Sequence, residues 1–224
     1  MSIVQTLKWE LRARLDDAGK LSLLRTLPRG ARVLDVGCGN HSVSLYKGFR
    51  CHLRYVGIDV ADYNLTTSDK NLMEEYVTCP ASGFAERIRA FRGDFDAVIS
   101  SHNLEHCDDP AAVIEAMAQV VKSGGYLHLS FPSEASIRFP SRGGTLNFHD
   151  DPTHRTLLPY DELVAGLSAR GFRMRRTVRR NRGVLWIPFL FGALQEPLSV
   201  LRGKVMSYTW HFWGFESVIV AQKV

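Results

Sequence analysis

Short apolar segments alternate with helical segments along this 224-residue chain, and this alternation limits its fold more than any other feature. The segments "RVLDV", "RYVGIDV", "EYVTC" and "FDAVISS" predict four β-strands, and "YLHLSF", "FRMRRTVRR" and "ESVIVAQKV" predict three more. Asp109 and Pro110 provide an N-cap and a first-turn proline for a helix that we expect to continue to Gly124–Gly125. "PYDELVAGLSARG" predicts another helix. The pattern favours an α/β fold, with a mainly parallel sheet covered by helices on both faces.

Composition is consistent with one globular domain, since 45% of the residues are apolar and 23% are charged. Residues 1–30 are expected to form an N-terminal helical segment, because apolar residues recur there at helical spacing. The four cysteines form no C-x-x-C pair, which favours a cytoplasmic location without structural zinc. The first residues, "MSIVQTLKWELRARLDD", lack the apolar core of a signal peptide.

Positive charge is concentrated in residues 170–182, although the whole chain carries a formal charge of only +5. The cluster suggests a solvated strand edge, with contact to a membrane surface or a nucleic acid as the alternatives.

The connection over about residues 180–214 is long and rich in aromatic side chains, and loops of this length are usually functional or poorly ordered. Its apolar run over residues 184–194 has 11 residues, whereas about 20 are needed to span a bilayer. We expect it to pack on the sheet or a dimer partner, to cap an acceptor pocket, or to rest on a membrane. In the last case, cations would lie near anionic headgroups: Arg175, Arg176, Arg179, Arg180 and Arg182.

The stretch "ARVLDVGCGNH", residues 31–41, places a carboxylate and two glycines directly after the first predicted strand. Glycines there let backbone N–H groups approach a ligand closely at a helix N-terminus. Asp35 would repel a pyrophosphate, but it suits a ligand with a cationic amino group and a small carboxylate. Asp59 lies 24 residues later, at the end of the second strand, and can accept hydrogen bonds from both hydroxyls of a ribose. A ribose joined to an amino-acid tail describes S-adenosylmethionine.

The chain resembles the class I S-adenosylmethionine-dependent methyltransferases. The resemblance rests on "VLDVGCGN", "GIDV", "FDAVISSHNLEHCDDP" and "SGGYLHLSFPSE", in that order, over about residues 31–175. It implies a Rossmann-like, seven-stranded and mostly parallel sheet whose last strand is antiparallel. It also implies a single methyltransferase domain over residues 1–224, in which residues 31–131 bind the cofactor and residues 132–224 form the acceptor side. The "LEH" after the fourth strand is typical of members that act on small molecules, lipids and sugars.

The resemblance also implies that Asp35 lies near the methionine amino group, that the glycines lie under the methionine tail and that Asp59 binds the ribose. The predicted cofactor-binding residues are Asp35, Gly37, Cys38, Gly39, His41, Asp59, Val60, Ser101 and His102. Two positions depart from the family's usual pattern. His41 replaces a common third glycine, and the acidic residue expected near the adenine after the third strand is not evident in "TCPASGFAERIRAF".

Histidines after the fourth and fifth strands are candidates for removing a proton from the acceptor. A histidine can act as a base near neutral pH, and a neighbouring carboxylate such as Asp150 or Asp151 can orient it. The predicted catalytic residues are His106, His149 and His154. Packing at a helix start and a polar loop are the structural alternatives for these positions. No metal is predicted, because no compact ligand spacing repeats, although histidine and aspartate are metal-ligand types.

The resulting prediction is a methyltransferase that transfers a methyl group to an oxygen or nitrogen of a small molecule, a sugar or a lipid-linked glycan, with membrane contact as a further interpretation. Nucleic acid is a disfavoured partner, because "SSHNLEH" replaces the Asn/Asp-Pro-Pro-aromatic motif of enzymes that methylate exocyclic amines of bases. Two alternatives remain: a catalytically silent cofactor-binding module, and an RNA methyltransferase that uses the arginine cluster. The sequence does not indicate an oligomeric state.

Overall fold

The sheet is the framework on which the site is built. A computed structural model of the protein describes residues 3–15, 18–91, 94–182 and 186–224. Its strands are β1 (Arg32–Val36), β2 (Arg54–Asp59), β3 (Glu75–Thr78), β4 (Phe95–Ser101), β5 (Val121–Pro132), β6 (Phe172–Val178) and β7 (Glu216–Lys223). They form one seven-stranded sheet in the order β3-β2-β1-β4-β5-β7-β6. Among the strands of the described residues, only β7 runs antiparallel to its neighbours, β5 and β6, so the predicted sheet is confirmed.

Helices cover both faces of this sheet, as the alternating pattern predicts. They are α1 (Ile3–Leu15), α2 (Lys20–Thr26), α3 (Ser42–Phe49), α4 (Thr67–Leu72), α5 (Phe84–Arg89), α6 (Pro110–Val120), α7 (Tyr160–Ala169), α8 (Ile187–Arg202) and α9 (Thr209–Trp213). One buried cluster joins the inner side of α2 and α3 to Val33, Ile99 and Val220 of the sheet. The other joins α6 and α7 to the opposite face, which Leu34 and Val98 supply.

Helix α6 is shorter than the sequence predicts. Asp109 caps it as expected, because its carboxylate accepts the Ala112 N–H at 2.9 Å. The helix ends at Val120, however, and Val121 already pairs with Phe95 in the sheet. The ammonium of Lys223 on β7 receives the end of the helix, donating to the carbonyls of Ala118 at 2.9 Å and Val121 at 2.8 Å. A cation from the far end of the chain therefore caps the C-terminus of this helix, and the local sequence does not reveal this cap.

The basic segment after α7 forms β6, which lies at the edge of the sheet with most of its side chains exposed. The interpretation as a solvated strand edge is therefore confirmed. The long connection that follows is helical in its described part, consisting mainly of α8 and α9. Part of the apolar run over residues 184–194 lies outside the described residues. Among the residues that are described, no helix has both the length and the apolarity to cross a bilayer.

Candidate active site

The glycine loop after β1 lies where the strand order reverses, between β1 and β4. Gly37 has φ of +80°, and a Cβ atom there would lie 2.4 Å from the side chain of Asn103. A Cβ atom on Gly39 would lie 2.9 Å from the carbonyl oxygen of Tyr63. Both positions therefore need glycine, because two other loops approach the backbone closely. In open α/β sheets, ligands bind at such a reversal, beyond the carboxyl ends of the strands.

Asp59 ends β2 beside this loop and organises it. Its Oδ2 accepts the Gly39 N–H at 2.8 Å, and its Oδ1 accepts the Val60 N–H at 2.7 Å. Burial raises the pKa of this carboxyl group, although the backbone N–H groups oppose the rise. Each carboxylate oxygen has a second lone pair, so the group can still accept a hydrogen bond from a ligand hydroxyl. The side chains of Val60 and Tyr63 are exposed next to it and offer an apolar surface.

Asp35 is enclosed by the sheet and is only 1% exposed. It accepts a hydrogen bond from the Tyr55 hydroxyl at 2.6 Å. Burial raises its pKa to about 6, although the charge of Lys20 and the Tyr55 hydrogen bond act in the opposite direction. A buried carboxylate of this kind supplies a negative potential at the base of the glycine loop.

Two further loop residues have mainly structural contacts. The side chain of Cys38 is fully buried and packs against Gly57, so that this residue can offer only its backbone to a ligand. His41 adopts a left-handed conformation before α3, and its Nδ1 lies 2.7 Å from Asp69 Oδ2 in α4. His41 therefore links the glycine loop to the first turn of α4.

His102, just after β4, lies between two carboxylates. Its Nδ1 is 3.2 Å from Glu105 Oε1, and its Nε2 is 3.3 Å from Glu216 Oε1 at the start of β7. Burial disfavours the imidazolium, but the bonds to Glu105 and Glu216 outweigh burial and raise the pKa of His102 to about 9. Its ring also packs on Trp210 and Phe215. His102 is therefore charged at neutral pH, with both N–H groups committed to carboxylates.

A cavity of about 310 Å³ opens beside this ion pair, at the carboxyl ends of β4 and β5. Its polar lining includes Lys20, Ser101, His102, Ser130 and Glu216. The cavity is bounded on one side by the start of α2 and on the other by the connection between α8 and α9. Its volume matches the lower range of small-molecule pockets, about 300–1,000 Å³.

His128 on β5 also lines the cavity. Its Nε2 bonds to the carbonyl oxygen of Ala18 at 3.0 Å, and its buried Nδ1 has no hydrogen-bond partner among the described residues. Burial lowers the pKa of His128 to about 4, so the ring is neutral at pH 7. With the proton assigned to Nε2, Nδ1 is an acceptor.

A second cluster combines the "LEH" turn with the loop after β5. Thr153 Oγ1 donates to Asp151 at 2.5 Å and therefore accepts from His106 Nδ1 at 2.9 Å. His154 Nδ1 donates to the carbonyl oxygen of Phe148 at 2.6 Å. In the neutral form of each ring, these hydrogen bonds place the proton on Nδ1 and make Nε2 the acceptor.

The rings of His106 and His154 lie 4.8 Å apart, and His154 Nε2 is 4.0 Å from Glu105 Oε1. Ligand atoms of Glu105, His106 and His154 all lie within 4.8 Å of one another, so that this cluster could serve in proton transfer or hold a cation. Glu105 is fully buried, and its Oε2 has no hydrogen-bond partner among the described side chains and backbone.

The three predicted catalytic histidines are therefore not equivalent. His106 and His154 are brought together, whereas His149 is exposed on the outer side of Phe148, which it contacts edge-on at 5.4 Å. Sequence patterns do not reveal Lys20 or Glu216 as site residues, because each lies far along the chain from the strand-end motifs. Glu216 precedes the apolar run of a predicted strand, and this is the only local signal for its position.

The doubly wound sheet, the glycine loop at its reversal and the carboxylate ending β2 together define a nucleotide-binding α/β protein. A sequence model described as a methyltransferase domain matches residues 9–177. The chain therefore belongs to this methyltransferase-domain family. The resemblance seen in the sequence motifs is confirmed at the level of the family.

Individual relatives agree with this assignment. A ubiquinone biosynthesis O-methyltransferase of Ralstonia nicotianae is 37% identical over 103 residues, which cover 45% of this chain and 43% of the relative. An enzyme of the same name from Pseudoalteromonas translucida is 27% identical over 197 residues, covering 80% of this chain and 75% of its own length. Over most of these curated relatives, the match spans about half of their length.

Solved structures confirm the fold. A SAM-dependent methyltransferase from Archaeoglobus fulgidus superposes with a TM-score of 0.53 at 20% identity, covering 96% of this chain and 94% of the other. At this identity the likeness concerns the fold alone.

Proposed function

We propose that this protein is an enzyme that transfers a methyl group from S-adenosylmethionine to an oxygen or nitrogen of a small-molecule acceptor. The observation that carries the proposal is the Asp59 carboxylate at the end of β2, which bonds to Gly39 in the glycine loop at the site of strand reversal. Family membership and the names of the O-methyltransferase relatives support the same activity. Residues 31–131, together with Lys20, are proposed to bind the cofactor, and residues 132–224 to form the acceptor side together with the ends of β4 and β5.

The residues at the carboxyl ends of β1 and β2 fit this cofactor. The free lone pairs of Asp59 suit the ribose hydroxyls, and the exposed surfaces of Val60 and Tyr63 suit the adenine ring. Asp35 supplies negative potential for the methionine ammonium group, and Lys20 supplies a cation for its carboxylate. Ser101 and His102, at the end of β4, face the adjoining cavity. When bound, S-adenosylmethionine supplies an activated methyl group on a sulfonium sulfur.

The acceptor proton is proposed to leave through the cluster of His106 and His154. The bond from His106 to Thr153, which itself bonds to Asp151, fixes the Nδ1–H tautomer, so that Nε2 is the basic atom. His102 is unsuited to this role, because both of its nitrogens are engaged by carboxylates and its pKa is raised to about 9. His149 is exposed and separate, so we exclude it from the proposed mechanism.

The cavity favours an acceptor with both polar and ring-like parts. Ser101 and Ser130 line the cavity and can bond to hydroxyl groups, while Trp210 offers an aromatic face. A phenol, a sugar or the sugar end of a lipid-linked glycan has this chemistry. Peripheral contact with a membrane is proposed as the route by which a lipid-linked acceptor reaches the cavity.

The activity is tested with S-adenosylmethionine carrying a tritiated methyl group. The purified protein is incubated with phenolic, sugar and lipid-linked acceptors and, separately, with RNA. We expect label in a small-molecule product together with release of S-adenosylhomocysteine. Transfer to RNA alone would support the RNA methyltransferase. Cofactor binding by calorimetry without transfer to any acceptor would support the catalytically silent module.

The proposed base is tested by His106→Gln, His154→Gln and His149→Gln. We expect His106→Gln to lower the turnover rate by about 10²–10⁴-fold with unchanged cofactor affinity. His149→Gln serves as the matched control and should keep full activity. Equal activity in all three variants would contradict a histidine base. Loss of wild-type activity on chelation with EDTA, with recovery on addition of Zn²⁺ or Mn²⁺, would support a metal held by Glu105, His106 and His154 instead.

A further inference from the structure

Helix α8 presents a continuous apolar surface that the described residues do not cover. At 100° per residue, seven of its side chains fall within an arc of about 120°. They are Ile187, Leu190, Phe191, Leu194, Pro197, Leu198 and Leu201, and this set is named the α8 stripe. Leu194 is 79% exposed and Leu201 is 82% exposed. Apolar side chains that are contiguous and this accessible normally mark an interaction surface.

Cations border the α8 stripe at both ends. Before the helix, the guanidinium of Arg182 lies 5.5 Å from the ring centre of Trp186, which is itself exposed. At the C-terminal end, Arg202 and Lys204 are exposed. The single acid of α8, Glu196, points away from the stripe, because it bonds to Arg142 at 2.7 Å and Trp213 at 3.0 Å. The surface is therefore apolar at its centre and cationic at its ends.

The opposite face of α8 is fixed to the rest of the protein. A Cβ atom on Gly192 would lie 2.5 Å from the Tyr208 carbonyl oxygen and 2.7 Å from Phe212, so that α8 and α9 are in close contact. Ser199 is buried and accepts a hydrogen bond from Arg142 at 2.8 Å. Rotating the helix to bury its stripe would break these contacts. The stripe is thus held outward by the fold.

We infer that the α8 stripe is a membrane-docking surface, which lies in the interfacial layer of an anionic bilayer. The leucines and Phe191 would insert among the acyl chains, Trp186 would lie at the headgroup level, and Arg182, Arg202 and Lys204 would pair with lipid phosphates. The arginine cluster around β6 contributes less than the sequence suggests, because Arg179, which directly follows the strand, is already paired with Glu134 and Asp161.

A bilayer fits this surface better than a second copy of the chain does. If two α8 helices packed along their stripes in antiparallel orientation, Arg182 of one copy would approach Arg202 and Lys204 of the other. In parallel orientation, like residues would face each other at both ends. Either arrangement brings cations together, whereas an anionic membrane supplies the opposite charge.

Docking by α8 would also bring the cavity close to the membrane surface. The chain leaves α8 and, within a few residues, contributes Val205, Met206 and Trp210 to the cavity lining. A lipid-linked acceptor could therefore reach the cavity from the bilayer without crossing bulk water. This route rests on the proposed function, but docking itself does not, and the two are tested separately.

The test is flotation of the full-length protein with vesicles of phosphatidylcholine containing phosphatidylglycerol, compared with phosphatidylcholine alone. We expect flotation with the anionic vesicles and a decrease at high salt. Leu194→Ser with Leu201→Ser should lower vesicle partitioning by roughly tenfold or more, because both side chains lose apolar burial in the bilayer. Arg202→Gln with Lys204→Gln should remove most of the preference for anionic lipid.

Leu7→Ser with Leu11→Ser is the matched control, since both leucines are exposed on α1. This control should float like the wild type. Absence of flotation, or an equal loss in the control and the α8 variant, would overturn the inference. A wild-type dimer in sedimentation that the α8 variant abolishes would also overturn it in favour of a second copy. Cofactor binding by the α8 variant should stay at the wild-type level. Methyl transfer can fail while flotation persists, so that the docking and the activity are judged independently.

Discussion

The carboxylate of Asp59 illustrates how one residue can both shape a loop and bind a ligand. Its two oxygens hold the N–H groups of Gly39 and Val60, and these bonds set the spacing between the glycine loop and the end of β2. The remaining lone pairs of the carboxylate can accept hydrogen bonds from the proposed ribose. Because both functions share one group, substitutions must be chosen to separate them.

Asp59→Ala should weaken cofactor binding by about 1–3 kcal/mol, since charged hydrogen bonds to the ribose are lost and the loop N–H groups lose their acceptor. Asp59→Asn keeps the size and one acceptor oxygen, so it should retain part of the affinity. Asp62→Ala is the control, because Asp62 is an exposed acid of the following loop that pairs with Lys70. Calorimetry that finds all three variants equal to the wild type would rule out the ribose assignment.

The raised pKa of Asp35, about 6, predicts how cofactor affinity depends on pH. Above pH 6 this group is a carboxylate and attracts the methionine ammonium; as the pH falls through 6 it becomes neutral. Affinity should therefore decline from pH 7 to pH 5, by up to about tenfold per pH unit below the pKa. Lys20, Tyr55 and Asp59 surround the same region, and the pKa of Asp59 is raised as well.

Asp35→Asn separates these contributions. The variant should bind more weakly at pH 7, and the part of the pH dependence that belongs to Asp35 should disappear. Circular dichroism at each pH verifies that the fold is retained. An unchanged pH profile in Asp35→Asn would assign the decline to another group.

At the scale of elements, the pair α8–α9 is the feature for which the sequence is least informative. Aromatic and apolar residues are spread over the whole of residues 180–214, so that composition alone does not show where α8 starts and ends; one face of α8 packs on α9, and the α8 stripe is exposed. By contrast, α6 and β1 are predicted with their correct starts, since an N-cap and an apolar run are local signals. Tertiary contacts therefore decide where the helices of the connection form.

Gly192→Ala should destabilise the protein by about 1–3 kcal/mol, although alanine is the better helix former. The added methyl group would lie 2.5 Å from the Tyr208 carbonyl oxygen, and the backbone of α9 would have to move. Gly83→Ala is the matched control, because no atom lies within 4 Å of the added group there. Thermal unfolding that shows equal stability for both variants would contradict close packing of α8 on α9.

At the scale of the whole molecule, the antiparallel insertion of β7 completes the site. Reversal of this last strand brings its first residue, Glu216, to the same edge as the carboxyl ends of β4 and β5. The resulting bond to His102 joins residues 114 positions apart in the chain. The final strand is thereby connected to the motif after β4, and it supplies the carboxylate of Glu216 to the cavity.

This ion pair predicts how stability depends on pH. The pKa of His102 is raised from an ordinary value of 6.5 to about 9, because Glu105 and Glu216 stabilise its charge. Its contribution to stability is therefore fully present below pH 6.5 and is lost as the pH rises through 9. In Glu216→Gln the imidazolium loses one partner, so the loss should begin at lower pH. Thermal unfolding between pH 6 and pH 10 measures the stability of the wild type and of Glu216→Gln, with His149→Gln as the control. If the stability of Glu216→Gln depended on pH in the same way as that of the wild type, the result would contradict an ion pair between His102 and Glu216.

The sequence by itself determined the strands, the sheet class and the position of the glycine loop and of Asp59 at the strand ends. Each depends on residues close together in the chain: an apolar run, a glycine loop that only glycine can form, and an acid at a strand end. Tertiary structure alone decided which histidines meet, since His106 lies in the turn after β4 and His154 in the loop after β5, and it paired His102 with Glu216. It also decided which face of α8 stays exposed. The physical reason is that hydrogen bonds and packing between distant segments follow from the path of the chain in space, on which local periodicity carries no information.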